Sequence, residues 1–275
     1  MESRAESMGN ALSGRRAFVT GSLQGIGLGI AKTLAREGAS LVLHGLATPD
    51  VVAAAEAEVL AAGAAKVESF VTDLRDSGAT ENLIAQILSS GPVDILVNNA
   101  GIQFTGPVSQ LPRDKWNDII AINLSAAFDT IRLLIPQMAE RGYGRVINIA
   151  SVHGLVGSVE KAPYVAAKHG IVGLTKVVAL EYADKGSRQS GGVTVNAICP
   201  GWVETTLIEP QIQMRVDKFS GDRAAGVADL LSEKQPSKRM SSPADIGELA
   251  LWLCNPAAHN MTGAAIPIDG GWTAQ

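Results

Sequence analysis

Ala17-Phe18-Val19-Thr20-Gly21-Ser22-Leu23-Gln24-Gly25-Ile26-Gly27 decides the fold. A short apolar run stops at Thr20, turns through Gly21, Gly25 and Gly27, and continues as a helical stretch, Ile26–Glu37, closed by Gly38. Strand, glycine-rich turn, helix is the opening unit of an α/β sheet. Glycines here let backbone approach a pyrophosphate, and the helix N-terminus offers free N–H groups and a positive dipole end. The spacing is G-x-x-x-G-x-G rather than the commoner G-x-G-x-x-G. Alone it is equally a plain tight turn; its place at the first strand-to-helix junction favours phosphate binding.

The same alternation continues outward. Strands are expected at Ala17–Thr20, Ser40–Leu43, Val67–Val71, Asp94–Val97, Arg145–Ala150, Val193–Ile198 and Ala265–Ile268. Helices are expected at Val51–Ala62, Ala79–Leu88, Trp116–Met138, Tyr164–Tyr182 and Ala244–Leu253, with Pro136 and Gly142 near the end of the third. Alternation of this kind means right-handed crossovers and a parallel sheet. Short, wholly apolar strands mean helices on both faces. The expected fold is one α/β domain, a Rossmann-type doubly wound parallel sheet of seven strands, over residues 13–275. Residues 1–12 read as a disordered extension. Two segments break the rhythm. Asp184–Gly192 is a polar, glycine-rich surface loop, and 204–240 is an amphipathic insertion after the sixth strand. Open α/β sheets bind ligands beyond the carboxyl ends of their strands, so the insertion reads as a helical lid.

Composition agrees. The 275 residues suit one large domain, and 46% hydrophobic residues supply its core. A net charge of −4 gives no electrostatic case for nucleic acid or a membrane surface. Cys199 and Cys254 are too few for a disulfide framework, and each sits in an apolar stretch that favours a buried thiol. No His/Cys cluster has zinc-site spacing, so no metal is expected. The N-terminus has no apolar core of signal-peptide length and no apolar run reaches spanning length, so the cytoplasm is the expected compartment.

Three further groups could carry chemistry. Asn98-Asn99-Ala100-Gly101 follows the fourth strand, where small residues and amides suit close approach of a cofactor; such a sequence is also an ordinary turn. Tyr164 and Lys168 share a helix face by their four-residue spacing. An ammonium beside a phenol favours the phenolate, turning a weak acid of pKa ~10 into a general base. An amphipathic helix with a solvated lysine is the alternative. Ser151 and His153 share a face at the end of the fifth strand, and Ser151 reads either as a donor to a substrate oxygen or as a turn cap.

Together, and in order, Thr20–Gly27, Asn98–Gly101, Asn123, Ser151, Tyr164 and Lys168 resemble the short-chain dehydrogenase/reductase family from about Gly14 to the C-terminus. The resemblance implies a nicotinamide cofactor and direct hydride transfer without metal. It implies a catalytic set of Asn123, Ser151, Tyr164 and Lys168. Tyr164 would be the general acid/base, Ser151 would hold the reacting oxygen, Lys168 would lower the phenol pKa and bind the ribose, and Asn123 would hold a relay water. The implied cofactor contacts are Gly21, Gln24, Gly25, Ile26, Gly27, Asp73, Leu74, Asn99, Ala100, Gly101, Tyr164, Lys168, Pro200, Val203 and Thr205. Asp73 would meet the adenine and Thr205 the carboxamide.

Within that family, NNAGIQ (98–103), IASVHGL (149–155), YVAAKHG (164–170), NAICPGWV (196–203), LSEKQP (231–236) and DGGWTA (269–274) resemble the branch that oxidises D-3-hydroxybutyrate to acetoacetate. That resemblance implies that Gln103, His153, Lys161 and Gln211 bind a small carboxylate. Trp202 and Trp272 would shape the pocket around its methyl end. Lys161 is also a cation three residues before Tyr164, and amides and a histidine can supply the other donors a carboxylate needs. The alternatives are a solvated loop lysine, polar surface glutamines and core tryptophans. Phe104 departs from the polar residue expected after Gln103, and the Asp184–Gly192 loop is longer than the branch leads one to expect.

The cofactor is expected to be NAD. NADP binding calls for a base after the second strand, and neither arginine nor lysine occurs between Glu37 and Lys66. His44, if protonated, is the one group there that could assist a phosphate. Other small alcohols, sugars or 3-oxoacyl substrates stay open, as does an NAD(H)-binding scaffold without turnover. The family also implies a homotetramer built on the Trp116–Met138 and Tyr164–Tyr182 helices.

Overall fold

The computed structural model describes residues 10–274. Its strands are β1 (Arg16–Val19), β2 (Ser40–His44), β3 (Val67–Phe70), β4 (Ile95–Asn98), β5 (Tyr143–Ile149), β6 (Gly192–Pro200) and β7 (Ala265–Ile268). They form one parallel seven-stranded sheet in the order β3-β2-β1-β4-β5-β6-β7. The helices are α1 (Gly25–Arg36), α2 (Pro49–Ala61), α3 (Ser77–Ser89), α4 (Arg113–Ile120), α5 (Ala126–Arg141), α6 (Ala162–Tyr182), α7 (Glu209–Val216), α8 (Arg223–Lys234) and α9 (Pro243–Cys254).

Strand alternation sorts the core into two layers. Ala17, Val19, Leu41, Leu43, Ile95, Val97, Ile147 and Ile149 face Ile30 and Leu34 of α1, Val59 of α2 and Ile246 and Leu253 of α9. Their neighbours Phe18, Val42, Leu96, Val146 and Val195 face Ile84 and Ile87 of α3, Leu134 and Met138 of α5 and Val178 of α6. The five inner strands β2, β1, β4, β5 and β6 are therefore buried on both faces, while the edge strands β3 and β7 are only half-buried. The order reverses direction between β1 and β4, and that reversal opens a crevice at their carboxyl ends.

Three departures from the sequence reading have physical causes. Leu12, assigned to the disordered extension, is buried in the core and its N–H donates to Glu37 O at 2.9 Å, so the packed domain starts earlier. Residues 1–9 of that extension lie outside the described residues. The single helix expected at Trp116–Met138 is α4 and α5 joined by a π-helical turn, Ala121–Ser125. Inside that turn both ends of the Asn123 amide hold one residue: Oδ1 accepts from Ile102 N and Nδ2 donates to Ile102 O, each at 2.9 Å. Finally, by length and hydropathy the Arg113–Arg141 run does qualify as a candidate membrane span, at 1.5 over its best window. Half of that window is buried in the fold, and Arg132 pairs there with Asp129 at 2.9 Å.

The insertion at 204–240 contains α7 and α8. Ile208, Ile212, Val216 and Leu230 give it a small core of its own, and Arg215 clamps the two helices through Asp229 at 2.7 Å. It leaves and rejoins the domain at one point: Val203 bridges Ser241, with Glu204 N donating to Ser241 O at 2.9 Å and Ser241 N to Trp202 O at 3.0 Å. The Asp184–Gly192 loop packs at the amino end of β6, opposite the crevice. There the buried Arg145 guanidinium donates to Gly191 O and Gly192 O at 3.0 and 2.9 Å.

Candidate active site

The glycine turn and the Asn98–Gly101 segment meet across the crevice. Thr20 Oγ1 accepts from both Asn99 N and Ala100 N at 3.0 Å, while Asn99 Nδ2 donates to Gly21 O at 2.8 Å. A Cβ on Gly21 would stand 2.8 Å from Ala100 Cα, and one on Gly27 would stand 2.2 Å from Gly21 O. Gly21 at φ +62° and Gly25 at φ +56° also occupy the left-handed region that disfavours other residues. Gln24, which precedes α1, makes no side-chain cap, so the first N–H groups of that helix stay free for an anion.

From this turn a cavity of about 520 Å³ runs to the carboxyl ends of β5 and β6 and under the Thr206–Ile208 turn that precedes α7. It brings together Gly21, Gln24, Gly25, Ile26, Asn99, Ala100, Gly101, Gln103, Ser151, His153, Lys161, Tyr164, Lys168, Pro200, Trp202, Val203, Thr205 and Trp272. Gly27 lies directly beneath as packing for the turn. The structure does not bring Asp73, Leu74, Asn123 or Gln211 to this wall. The Asp73 carboxylate is held by Arg75, with Nε at 3.0 Å from Oδ1. Leu74 and Asn123 line a separate void of about 10 Å³ beside Ile149, which has the size one water needs. Gln211, on α7, reaches the site indirectly: Lys161 Nζ donates to its Oε1 at 3.2 Å.

The sequence reading missed the apolar end of the cavity, lined by Leu23, Gly45, Leu46, Ala47, Thr48 and Val51. The only signal was the uncharged segment after β2. His44 there is buried and its proton affinity is lowered by desolvation. Its Nε2 lies 2.9 Å from Thr72 O, and Gly21 N donates to Nδ1 at 3.4 Å. A neutral ring donating to Thr72 satisfies both contacts. His44 therefore braces the glycine turn and offers no charge to a phosphate.

At the reaction end α6 carries Tyr164 and Lys168 side by side, both buried, with Nζ 5.5 Å from the phenol ring. The expected lowering of the phenol pKa by Lys168 is not what the protein's own groups produce. Burial pushes Tyr164 up to about 12, and the Ser151 hydroxyl is the group that opposes this. Lys168 Nζ donates to Ile149 O at 2.7 Å, and burial draws its pKa down to about 8. Ser151 Oγ also accepts from His153 N at 3.2 Å, which fixes it at the end of β5.

Beyond Ser151 lies an aromatic floor. The Trp202 and Trp272 rings sit 5.7 Å apart, His153 meets Trp272 edge-on at 5.4 Å, and Lys161 Nζ stands 5.5 Å from the Trp202 ring. Lys161 is only 8% exposed, and burial lowers its pKa to about 8, with Lys234 adding to the effect. Burial brings His153 down to about 3, so it is a neutral ring. Its Nδ1 and the Trp202 Nε1 are buried without hydrogen-bond partners. Unpaired buried donors and a buried ammonium are what a small anion would satisfy. Among the described residues no group of His, Cys, Asp and Glu is placed to hold a metal ion.

The cavity is open, flanked by the free α1 terminus at one end and by Tyr164 and Lys168 at the other. These residues fit a nicotinamide dinucleotide. The comparisons agree. The short chain dehydrogenase family model matches residues 15–215. The chain is 46% identical to D-beta-hydroxybutyrate dehydrogenase of Cupriavidus necator, covering 96% of this chain and 100% of that protein. It is 44% identical to the protein of that name from Rhizobium meliloti, covering 95% and 99%. A variant of actinorhodin polyketide ketoreductase, solved with NADPH, superposes with a TM-score of 0.86 at 34% identity, covering 95% of this chain and 98% of that one. By fold, motif and these likenesses the chain belongs to the short chain dehydrogenase family of nicotinamide-dependent oxidoreductases.

Proposed function

We propose that this enzyme oxidises D-3-hydroxybutyrate to acetoacetate with NAD, reversibly. One observation carries the reading: Lys161 is a buried ammonium on the same cavity as Ser151, Tyr164 and Lys168, and its hydrogen bond goes to the neutral Gln211 rather than to an acid. A substrate carboxylate completes that arrangement. Gln103, the unpaired His153 Nδ1 and the Gln211 amide lie on or beside the same end and supply further hydrogen bonds. Trp202 and Trp272 pack the methyl group.

With the carboxylate anchored, the substrate hydroxyl lies between Ser151 and Tyr164. Ser151 donates to it and fixes its orientation. The Tyr164 oxygen takes its proton as the carbinol becomes a ketone, and returns it in the reverse direction. A bound oxidised nicotinamide would supply the hydride acceptor, and its positive ring would favour the Tyr164 phenolate that burial alone disfavours. Lys168, protonated at neutral pH, acts in the same sense and offers a donor to the ribose. The small void beside Asn123 has room for one water but meets neither Tyr164 nor Lys168.

NAD is favoured over NADP because the wall after β2 is Gly45, Leu46, Ala47 and Thr48, with His44 buried and neutral beneath. Among the described residues no cation lines that wall to meet a ribose 2′-phosphate. The test is NADH formation with D- and L-3-hydroxybutyrate and with NAD or NADP. Turnover with the D-isomer and NAD alone is expected. Absence of turnover with either isomer overturns the substrate and turns attention to other small alcohols and sugars. Exposed Phe128 on α5 and Val177 and Leu180 on α6 support assembly into a homotetramer through those helices.

A further inference from the structure

Lys161 is not alone. Lys234, the last residue of α8, places its Nζ 5.6 Å from the Trp272 ring. The two tryptophan rings adjoin at a tilt of 41°, and each carries one ammonium: Lys161 on Trp202 and Lys234 on Trp272. His153, edge-on to Trp272 between the pair and Tyr164, is uncharged. The nearest acid is Glu233, 3.8 Å from Lys234, and it is already engaged in an ion pair with Arg215 of α7. Two cations thus share one aromatic platform with little acid to balance them.

We propose that Lys234 is a second specificity-determining cation, which draws the substrate carboxylate to the platform and holds the lid helix α8 over it. This rests on the reading of the cavity end as a carboxylate site. Two like charges on one platform repel, and each lowers the proton affinity of the surrounding bases. Lys234 stands against Trp272 outside the cavity wall, so an anion held at Lys161 would draw its ammonium, and α8 with it, toward the platform. Carboxylate binding and lid closure are then one event. A neutral ligand of equal size would fill the cavity without drawing α8 in. Lys234 is half-buried, with a side-chain exposure of 35%, so its replacement leaves the core intact.

The test is an equilibrium titration of the NAD-saturated enzyme with acetate, and separately with acetone, read by tryptophan fluorescence. Neither probe carries a hydroxyl to oxidise. Relative to wild type, Lys234→Met weakens acetate binding by roughly threefold to tenfold, leaves acetone unchanged, and Lys234→Arg restores acetate binding. Equal loss for acetate and acetone, or no loss at all, overturns the proposal, as does failure of the wild type to bind acetate. The hydroxybutyrate assay separates the two readings. If acetate binding depends on Lys234 while D-3-hydroxybutyrate is not oxidised, the carboxylate platform stands and the substrate is a different hydroxy acid.

Discussion

At the scale of single residues, the reaction centre divides by charge state. Tyr164→Phe removes the proton acceptor without disturbing the cavity, and turnover should fall about 10²–10⁴-fold while NAD still binds, as cofactor fluorescence titration would show. Retained turnover would remove Tyr164 from the proton-transfer role. Lys161 gives a pH signature. Its pKa is drawn down to about 8, and only the protonated form attracts a carboxylate. The KM for the hydroxy acid should therefore be low below that pH and climb as the pH rises through it, and the KM for NAD should stay level. Lys161→Met should show the high KM at every pH. A KM profile that is flat for the wild type would discard the ammonium. These side chains were legible as types at family spacing. Their charge states were not, because a lysine in a string of letters carries no sign of how much water it has lost. Asp73 holds a contact that spacing alone does not show: Arg75, two residues on, pairs with its carboxylate.

Among the elements, all seven strands and the six helices that follow the sheet rhythm were readable from apolar alternation and glycine stops. The π-helical turn at Ala121–Ser125 was not, because it arises from a contact with Ile102, far away in sequence. Asn123→Ala breaks both bonds to Ile102. The α4–α5 joint should relax toward a regular helix, and turnover should fall more than NAD affinity does. An equal fall in both would make Asn123 a brace for the cofactor rather than part of the reaction end. The lid offers a second test. A Cβ on Gly226 would stand 2.7 Å from Val216 N, so Gly226→Val should push α8 off α7. The KM for the hydroxy acid should rise by roughly tenfold, as for about 1.4 kcal/mol of lost contact. NAD affinity, set on the far side of the cavity, should hold.

For the whole molecule, the apolar side chains left outside invite a partner. The proposed assembly would cover Leu180 on α6, which is 81% exposed, together with Val177 and Phe128. Leu180→Glu together with Val177→Glu should reduce the assembled mass measured by sedimentation, with the monomer keeping its circular dichroism. An unchanged mass would place the interface elsewhere. The bridge between Val203 and Ser241 has a different consequence. Because the lid starts and finishes at one doorway, it behaves as a cassette. Its helices hold their own small core, and the glycine turn and the Ser151–Tyr164–Lys168 group lie wholly outside it. Splicing a foreign insertion between those two residues would exchange what α7 and α8 contribute, Gln211 and Lys234 among it, while Lys161, His153 and the tryptophans of the fixed wall stay in place.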